Sequence, residues 1–127
     1  MILYIDTTHE LKLEVALYTC KGEKQSELVI DEERDRSGRL LKAVDHLLKN
    51  SKKEMIAGIV AVKGPHGRFS MIRLGVVSAN ALGFCWNLPV IGILQGEDIA
   101  PAIEKISNRS AFYEPIIPVY DKEPNIT

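Results

Sequence analysis

A chain of 127 residues falls within the commonest size range of a single domain, so we expect one hydrophobic core. Sixteen Lys and Arg residues against seventeen Asp and Glu residues give a formal net charge of −1 at pH 7. This balance excludes the strongly basic surface of a dedicated nucleic-acid-binding domain, and the 46% hydrophobic fraction excludes an intrinsically disordered chain.

Three strands account for the beginning of the chain. An apolar run over residues 2–5 ends at Asp6 and is followed by a hairpin connection. Over residues 11–18, large apolar side chains alternate with other residues, which is the period-two pattern of a half-buried strand. A turn at residues 21–24 then leads into a third strand over residues 26–30.

The middle of the chain predicts a helix and then a central strand. From about Asp35, apolar residues recur at helical spacing and form one stripe. The stripe consists of Leu40, Leu41, Val44, Leu47 and Leu48. Residues 56–62 follow as a strand that is apolar on both faces, which is typical of the centre of a sheet.

The second half alternates helices with strands. A glycine-containing loop over residues 64–68 leads into a long helix over about residues 70–86. A buried strand over residues 90–94 comes next, and a short helix then extends through residues 96–106.

The final segment, residues 111–127, is rich in proline. We expect it to be extended, with a sheet-edge segment over residues 116–120. The whole order of three strands, helix, strand, helix, strand and short helix predicts an α/β fold with a mixed five-stranded sheet.

The run from Leu74 to Leu94 contains no charged residue and is long enough to span a bilayer. Asn87 and Pro89 interrupt it, so we interpret it as a core helix followed by a core strand, and we expect no membrane span. No signal-peptide leader precedes the first strand, which favours a cytoplasmic location.

The cysteines support the same compartment. Cys20 and Cys85 form no metal-binding motif and do not suffice for a disulfide scaffold, so we expect both to be small buried residues in a reducing cytoplasm. The three histidines also lack metal-ligand spacing. We therefore predict neither a metal nor a cofactor.

Two segments have the residue types of an anion site. Asp6, Thr7 and Thr8 place a carboxylate and two hydroxyls on a turn, where they would organise a metal-bound phosphate, although the alternative is an Asp that satisfies its own turn. The loop before the long helix combines a helix N-terminus with basic side chains. Its candidate residues are Gly67, Arg68, Ser70 and Arg73. The alternative for this loop is a simple turn in which Ser70 caps the helix.

A stripe of small residues marks the long helix. Gly75, Ala79 and Gly83 recur at every fourth position, which lets another helix approach closely. The rest of this helix is apolar on almost every side, so we expect a partner chain to cover it. The predicted partner interface comprises Leu40, Leu41, Val44, Leu47, Met71, Ile72, Gly75, Ala79 and Gly83.

Three segments together resemble the TsaB (YeaZ) family, a subunit of the bacterial machinery that makes threonylcarbamoyladenosine in tRNA. They are residues 2–8, residues 39–48 and the loop and helix start over residues 64–75. In the loop, the positions that match the family are Gly64, Pro65, Gly67, Phe69, Ser70, Arg73 and Gly75, with His66 as an insertion. Arg68 and Met71 depart from the family pattern, which has Ser and Gly there.

The resemblance implies one lobe of an actin/Hsp70-like (ASKHA) fold over residues 1–110, with an extended tail over residues 111–127 and most of a second lobe missing. It also implies a non-catalytic scaffold that pairs with a TsaD-like protein through its two main helices. A TsaE-like ATPase and tRNA would join only through the complex, and the chain alone would form a homodimer.

Two other functions stay open at this stage. A small ATP-binding ASKHA enzyme or a peptidase-like protein would use Asp6, Thr7 and Thr8 on phosphate. In this fold, however, nucleotide binds between two lobes. A homodimeric interaction module would apply the same helix surface to a second copy of itself.

Overall fold

A computed structural model describes residues 1–31, 36–49 and 55–121. Eight elements follow one another in the predicted order. They are β1 (Ile2–Asp6), β2 (Leu13–Tyr18), β3 (Lys24–Ile30), α1 (Arg36–Leu48), β4 (Gly58–Val62), α2 (Phe69–Trp86), β5 (Val90–Ile93) and α3 (Ala100–Ser107). The predicted α/β fold with a mixed five-stranded sheet is confirmed.

The sheet has the strand order β3-β2-β1-β4-β5. The first three strands form an antiparallel meander, whereas β1 pairs with β4 and β4 with β5 in parallel. All five residues of β4 are buried because helices cover both of its faces, which explains why its sequence is apolar without alternation.

Two hydrophobic clusters lie on opposite faces of this sheet, and β4 contributes alternate residues to each. Ile59 and Ala61 point into the larger cluster, which α1 and α2 cover. Val60 and Val62 point into the smaller cluster, which α3 covers through Ile103 and its neighbours.

Several predicted boundaries differ from the observed ones. The second strand begins at Leu13 because Leu11 stands in solvent in the preceding turn, with 64% of its surface exposed. The fourth strand begins at Gly58, and the short helix at Ala100. Before the short helix, a carboxylate oxygen of Asp98 accepts from the backbone N–H of Ala100 at 3.0 Å, which forms a turn of the Asx type. The predicted first-helix start at Asp35 lies outside the described residues.

Over residues 111–121 the C-terminal segment contains neither a helix nor a strand, so the prediction of a sheet-edge segment over residues 116–120 is wrong. The side chain of Asn80 on α2 takes up both backbone groups of Ile116: its amide oxygen accepts from the Ile116 N–H at 2.8 Å, and its amide nitrogen donates to the Ile116 carbonyl at 3.0 Å. Farther along, the Val119 N–H donates to the Lys63 carbonyl at 2.8 Å. The segment is therefore tied to the α2 side of the sheet.

By length and composition, α2 would suffice to cross a membrane. Its inner side nevertheless packs into the larger cluster through Ile72, Val76 and Ala79, which are almost completely buried. The cysteine prediction is wrong: Cys20 is exposed in the turn after β2, and Cys85 is exposed on the outer side of α2.

Candidate functional site

The turn after β1 uses its own polar groups internally. One carboxylate oxygen of Asp6 accepts from the backbone N–H of Thr8 at 2.9 Å and from the Thr8 hydroxyl at 2.6 Å. The Thr7 hydroxyl donates to the Met71 carbonyl at 2.6 Å, and both threonines are buried. The alternative interpretation, an Asp that satisfies its own turn, describes this geometry.

Tyr4 stands beside this carboxylate. Burial, reinforced by the negative charge of Asp6, raises the pKa of the Tyr4 hydroxyl well above its usual range. The ring also packs edge-on against Tyr18, with 5.7 Å between ring centroids. Tyr4 therefore stays a neutral side chain on this face of the sheet.

The loop before α2 reaches the same turn through its backbone. Gly67 has a φ of +130°, and a Cβ there would lie 2.7 Å from the carbonyl oxygen of Thr8. Arg68 occupies the N-cap position in an extended conformation without a side-chain cap bond. Ser70 therefore does not cap the helix, because α2 already begins at Phe69.

The predicted anion-site residues do not line one common cavity. A shallow cavity of about 230 Å³ adjoins Asp6 and Thr8, and its other polar lining includes Gln95 and Glu97. Arg68 and Arg73 are exposed and do not contribute to its wall. A cavity with two carboxylates and no arginine is electrostatically unsuited to an unaccompanied anion.

The small-residue stripe of α2 faces the chain's own sheet. A Cβ on Gly75 would overlap the Thr7 side chain, and a Cβ on Gly83 would overlap Val90. Ala79 is completely buried. The expectation that these three residues contact a partner is therefore wrong, because they allow α2 to approach the sheet closely.

Most other predicted interface residues are also internal. Those that are buried in the core are Leu40, Val44, Leu47 and Ile72. Met71 is only partly buried, and Leu41 has 52% of its surface exposed. The hydrophobic stripes of the two helices thus marked the faces that cover the sheet, which is what such a stripe does in most surface helices.

The outward face of α2 carries apolar residues that the predicted interface did not name individually. Val77 is 55% exposed and Phe84 is 72% exposed. They lie seven residues apart, which places them on one side of the helix two turns from each other. Apolar residues also occupy most of the remaining positions of α2, so this spacing alone did not identify an exposed side of the helix.

An apolar groove runs between α1 and α2 and encloses about 390 Å³. We call it the interhelical groove. Its lining consists of Leu41, Val44, Asp45, Leu48, Lys49, Leu82 and Trp86. The groove presents an apolar surface suited to receive side chains of another helix. Val77 and Phe84 lie on the other flank of α2, where the Phe84 ring packs edge-on against the Tyr113 ring with 5.9 Å between centroids.

The strand order of the mixed sheet and the helices packed on its two faces define an ASKHA-like α/β lobe. No protein-family model matches the chain. Solved structures of the same fold do match it.

YeaZ from Pseudomonas aeruginosa matches with a TM-score of 0.64 and 25% sequence identity, over 73% of this chain and 43% of its own length. A second structure, an uncharacterized protein with similarity to peptidase YEAZ from Pseudomonas aeruginosa, has the same score and identity over 73% of this chain and 42% of its own. The chain thus spans less than half of each. Its resemblance to the YeaZ (TsaB) family is confirmed for the part that these structures cover.

Proposed function

We propose that this chain is a non-catalytic partner subunit in the formation of threonylcarbamoyladenosine at position 37 of tRNA. It pairs with a TsaD-like protein through the outer surface of α1 and α2. The observation that carries the proposal is the apolar surface that these helices leave exposed, in a lobe similar to YeaZ.

The proposed contact differs from the one that the sequence predicted. Leu41 is the exposed apolar side chain of the groove, and Leu82 and Trp86 line the groove from α2. Complete burial of one large apolar side chain is worth about 1.5–3 kcal/mol, so a few such residues suffice to dominate the affinity of an interface.

The internal hydrogen bonds of the β1 turn support a scaffold rather than an enzyme. The Thr7 hydroxyl and one Asp6 oxygen, two groups that an ATP-dependent mechanism would use, are bonded within the chain. In this proposal a TsaE-like ATPase and tRNA associate only through the TsaD-like subunit. The complex works in the cytoplasm, and the free chain forms a homodimer through the same surface.

Co-purification with the host's TsaD-like protein tests the proposal. We expect the wild-type chain to retain that protein, and Leu41→Glu and Leu82→Glu, one on each helix of the groove, each to lose it because a carboxylate would be buried in an apolar contact. Val29→Glu is the matched control, since Val29 is 42% exposed on β3, away from both helices. Far-UV circular dichroism confirms that the variants fold.

Two outcomes would contradict the proposal. One is co-purification of both helix variants at the wild-type level. The other is a wild-type chain that never retains the TsaD-like protein although sedimentation shows it to be folded. Homodimers that the helix variants also abolish would agree with the proposed surface.

A further inference from the structure

The outer edge of β5 presents unpaired backbone groups. Towards β4, the carbonyls of Pro89 and Ile93 accept from Ile59 and Lys63 at 3.0 and 2.8 Å. In a parallel ladder, alternate residues bond to the same neighbour, so the N–H and C=O groups of Val90 and Gly92 point to the other side. Within residues 1–31, 36–49 and 55–121, no backbone or side-chain group bonds them there.

Asn80 holds the described part of the C-terminal segment, residues 111–121, off this edge. The C-terminal segment passes beside β5, but the Asn80 side chain bonds both the N–H and the C=O of Ile116. The Tyr113 hydroxyl donates to the Asn80 carbonyl at 3.2 Å and fixes the segment a second time. The neighbouring backbone is thereby held against α2 and cannot add a strand to β5.

A cleft of about 620 Å³ separates β5 from this segment. We call it the β5-edge cleft. It is lined by Val90–Gly92, by Ser110–Ile117 and by two lysines, Lys63 and Lys105. Phe112 and Ile117 belong to its wall and stand 82% and 78% exposed. Glu114 is the one acidic residue among these lining residues, so their net charge is positive.

The two edges of the sheet differ in their protection against strand pairing. The β3 edge carries Lys24 and Glu27, which form an ion pair at 2.8 Å. Charged side chains on an edge strand disfavour its pairing with a strand of another chain. The four residues of β5 are Val, Ile, Gly and Ile, without a charge or a proline. An edge of this kind is open to pairing with an extended chain.

We infer that the β5-edge cleft binds an extended acidic segment of a partner protein, which adds to the sheet as a sixth strand beside β5. The unpaired groups of Val90 and Gly92 select an extended backbone, and Lys63 and Lys105 select carboxylate side chains. This site lies away from the interhelical groove, so the inference does not rest on the proposed pairing through α1 and α2.

A fluorescent synthetic peptide of eight residues, with Val alternating with Glu, is the probe for binding to the full chain. We expect it to bind and to slow hydrogen exchange at the Gly92 amide. Two further peptides carry N-methyl groups on one or the other alternate set of amides. Loss of the two hydrogen bonds to the Val90 and Gly92 carbonyls should weaken binding of one of these peptides about tenfold or more, while the other keeps its affinity.

Charge reversal tests the acidic preference. We expect Lys105→Glu to weaken binding of the unmodified peptide about threefold or more, whereas the control Lys21→Glu, in the turn between β2 and β3, leaves it unchanged. Absence of binding, or N-methyl peptides that do not differ from each other, would overturn the inference. So would Gly92 protection that rises with protein concentration alone, because a second copy would then occupy the edge.

Discussion

Gly75 tests whether the small-residue stripe of α2 serves the chain's own fold. A Cβ at this position would lie 3.0 Å from the Thr7 methyl carbon and even closer to the Thr7 hydroxyl oxygen. Thr7 is completely buried and its hydroxyl bonds the Met71 carbonyl at 2.6 Å, so it has no free space into which to move. Gly75→Ala must therefore break this bond or push α2 away from β1.

The expected cost follows from these contacts. Overpacking costs about 1–3 kcal/mol, and a buried hydroxyl without its partner costs about 1–3 kcal/mol more. The higher helix propensity of alanine offsets about 1 kcal/mol of this destabilisation. We therefore expect Gly75→Ala to lower the free energy of unfolding by about 3 kcal/mol. Ala81→Leu, an enlargement on the exposed side of the same helix, should change it by less than about 0.5 kcal/mol.

Urea denaturation followed by far-UV circular dichroism measures these values, and a double-mutant cycle identifies the contact. Thr7→Ala removes the two nearest of the Thr7 atoms that the new Cβ would meet, the hydroxyl oxygen and the methyl carbon. In that background, Gly75→Ala should cost less than about 1 kcal/mol. Equal costs in both backgrounds, or a single variant as stable as the wild type, would refute the assignment of Gly75 to the helix–sheet contact.

Two further predictions concern the C-terminal segment and the β3 edge. Asn80→Ala leaves the Ile116 backbone without its partners, so it should destabilise the fold by about 1–3 kcal/mol and speed hydrogen exchange at the Ile116 amide; unchanged exchange would contradict the assigned bonds. Lys24 lowers the pKa of Glu27 below its ordinary value of 4.5. The stabilisation of the folded state by this ion pair is therefore present above pH 4.5 and is lost as the pH falls through the lowered pKa of Glu27. Glu27→Gln should flatten this part of the stability–pH profile, and an unaltered profile would exclude the ion pair as its cause.

The order of elements could be predicted because its signals are local. Alternation in β2 and the apolar stripe of α1 reflect which side chains point to the same face, and this depends only on neighbours in the sequence. The resemblance to the YeaZ family also rested on short contiguous motifs. The turn at Asp6 was foreseen only as one of two alternatives, because the same residue types serve a phosphate and a self-bonded turn.

The candidate binding surface could not be predicted in the same way. In α2, apolar residues occur around almost the whole helix, so periodicity did not indicate which side meets the sheet. A side chain on Gly75 would overlap Thr7, and one on Gly83 would overlap Val90. Thr7 is far away in the sequence and Val90 lies on another element, so the local pattern does not show why these positions are glycine. Most of the residues predicted to contact a partner therefore proved to be core, with Leu41 as an exposed exception, and the exposed Val77 and Phe84 were not named among them.

The α/β class, the strand and helix order and the family resemblance could be predicted from the amino-acid sequence, since they follow from periodicity and local motifs. Which face of each helix is free became known only from the packing of the helices on the sheet. The tertiary structure alone also showed that Asn80 holds the C-terminal segment against α2 and that the edge of β5 stays open. These features depend on contacts between residues that are distant in the chain, and such contacts cannot be predicted from the local sequence pattern around any one residue.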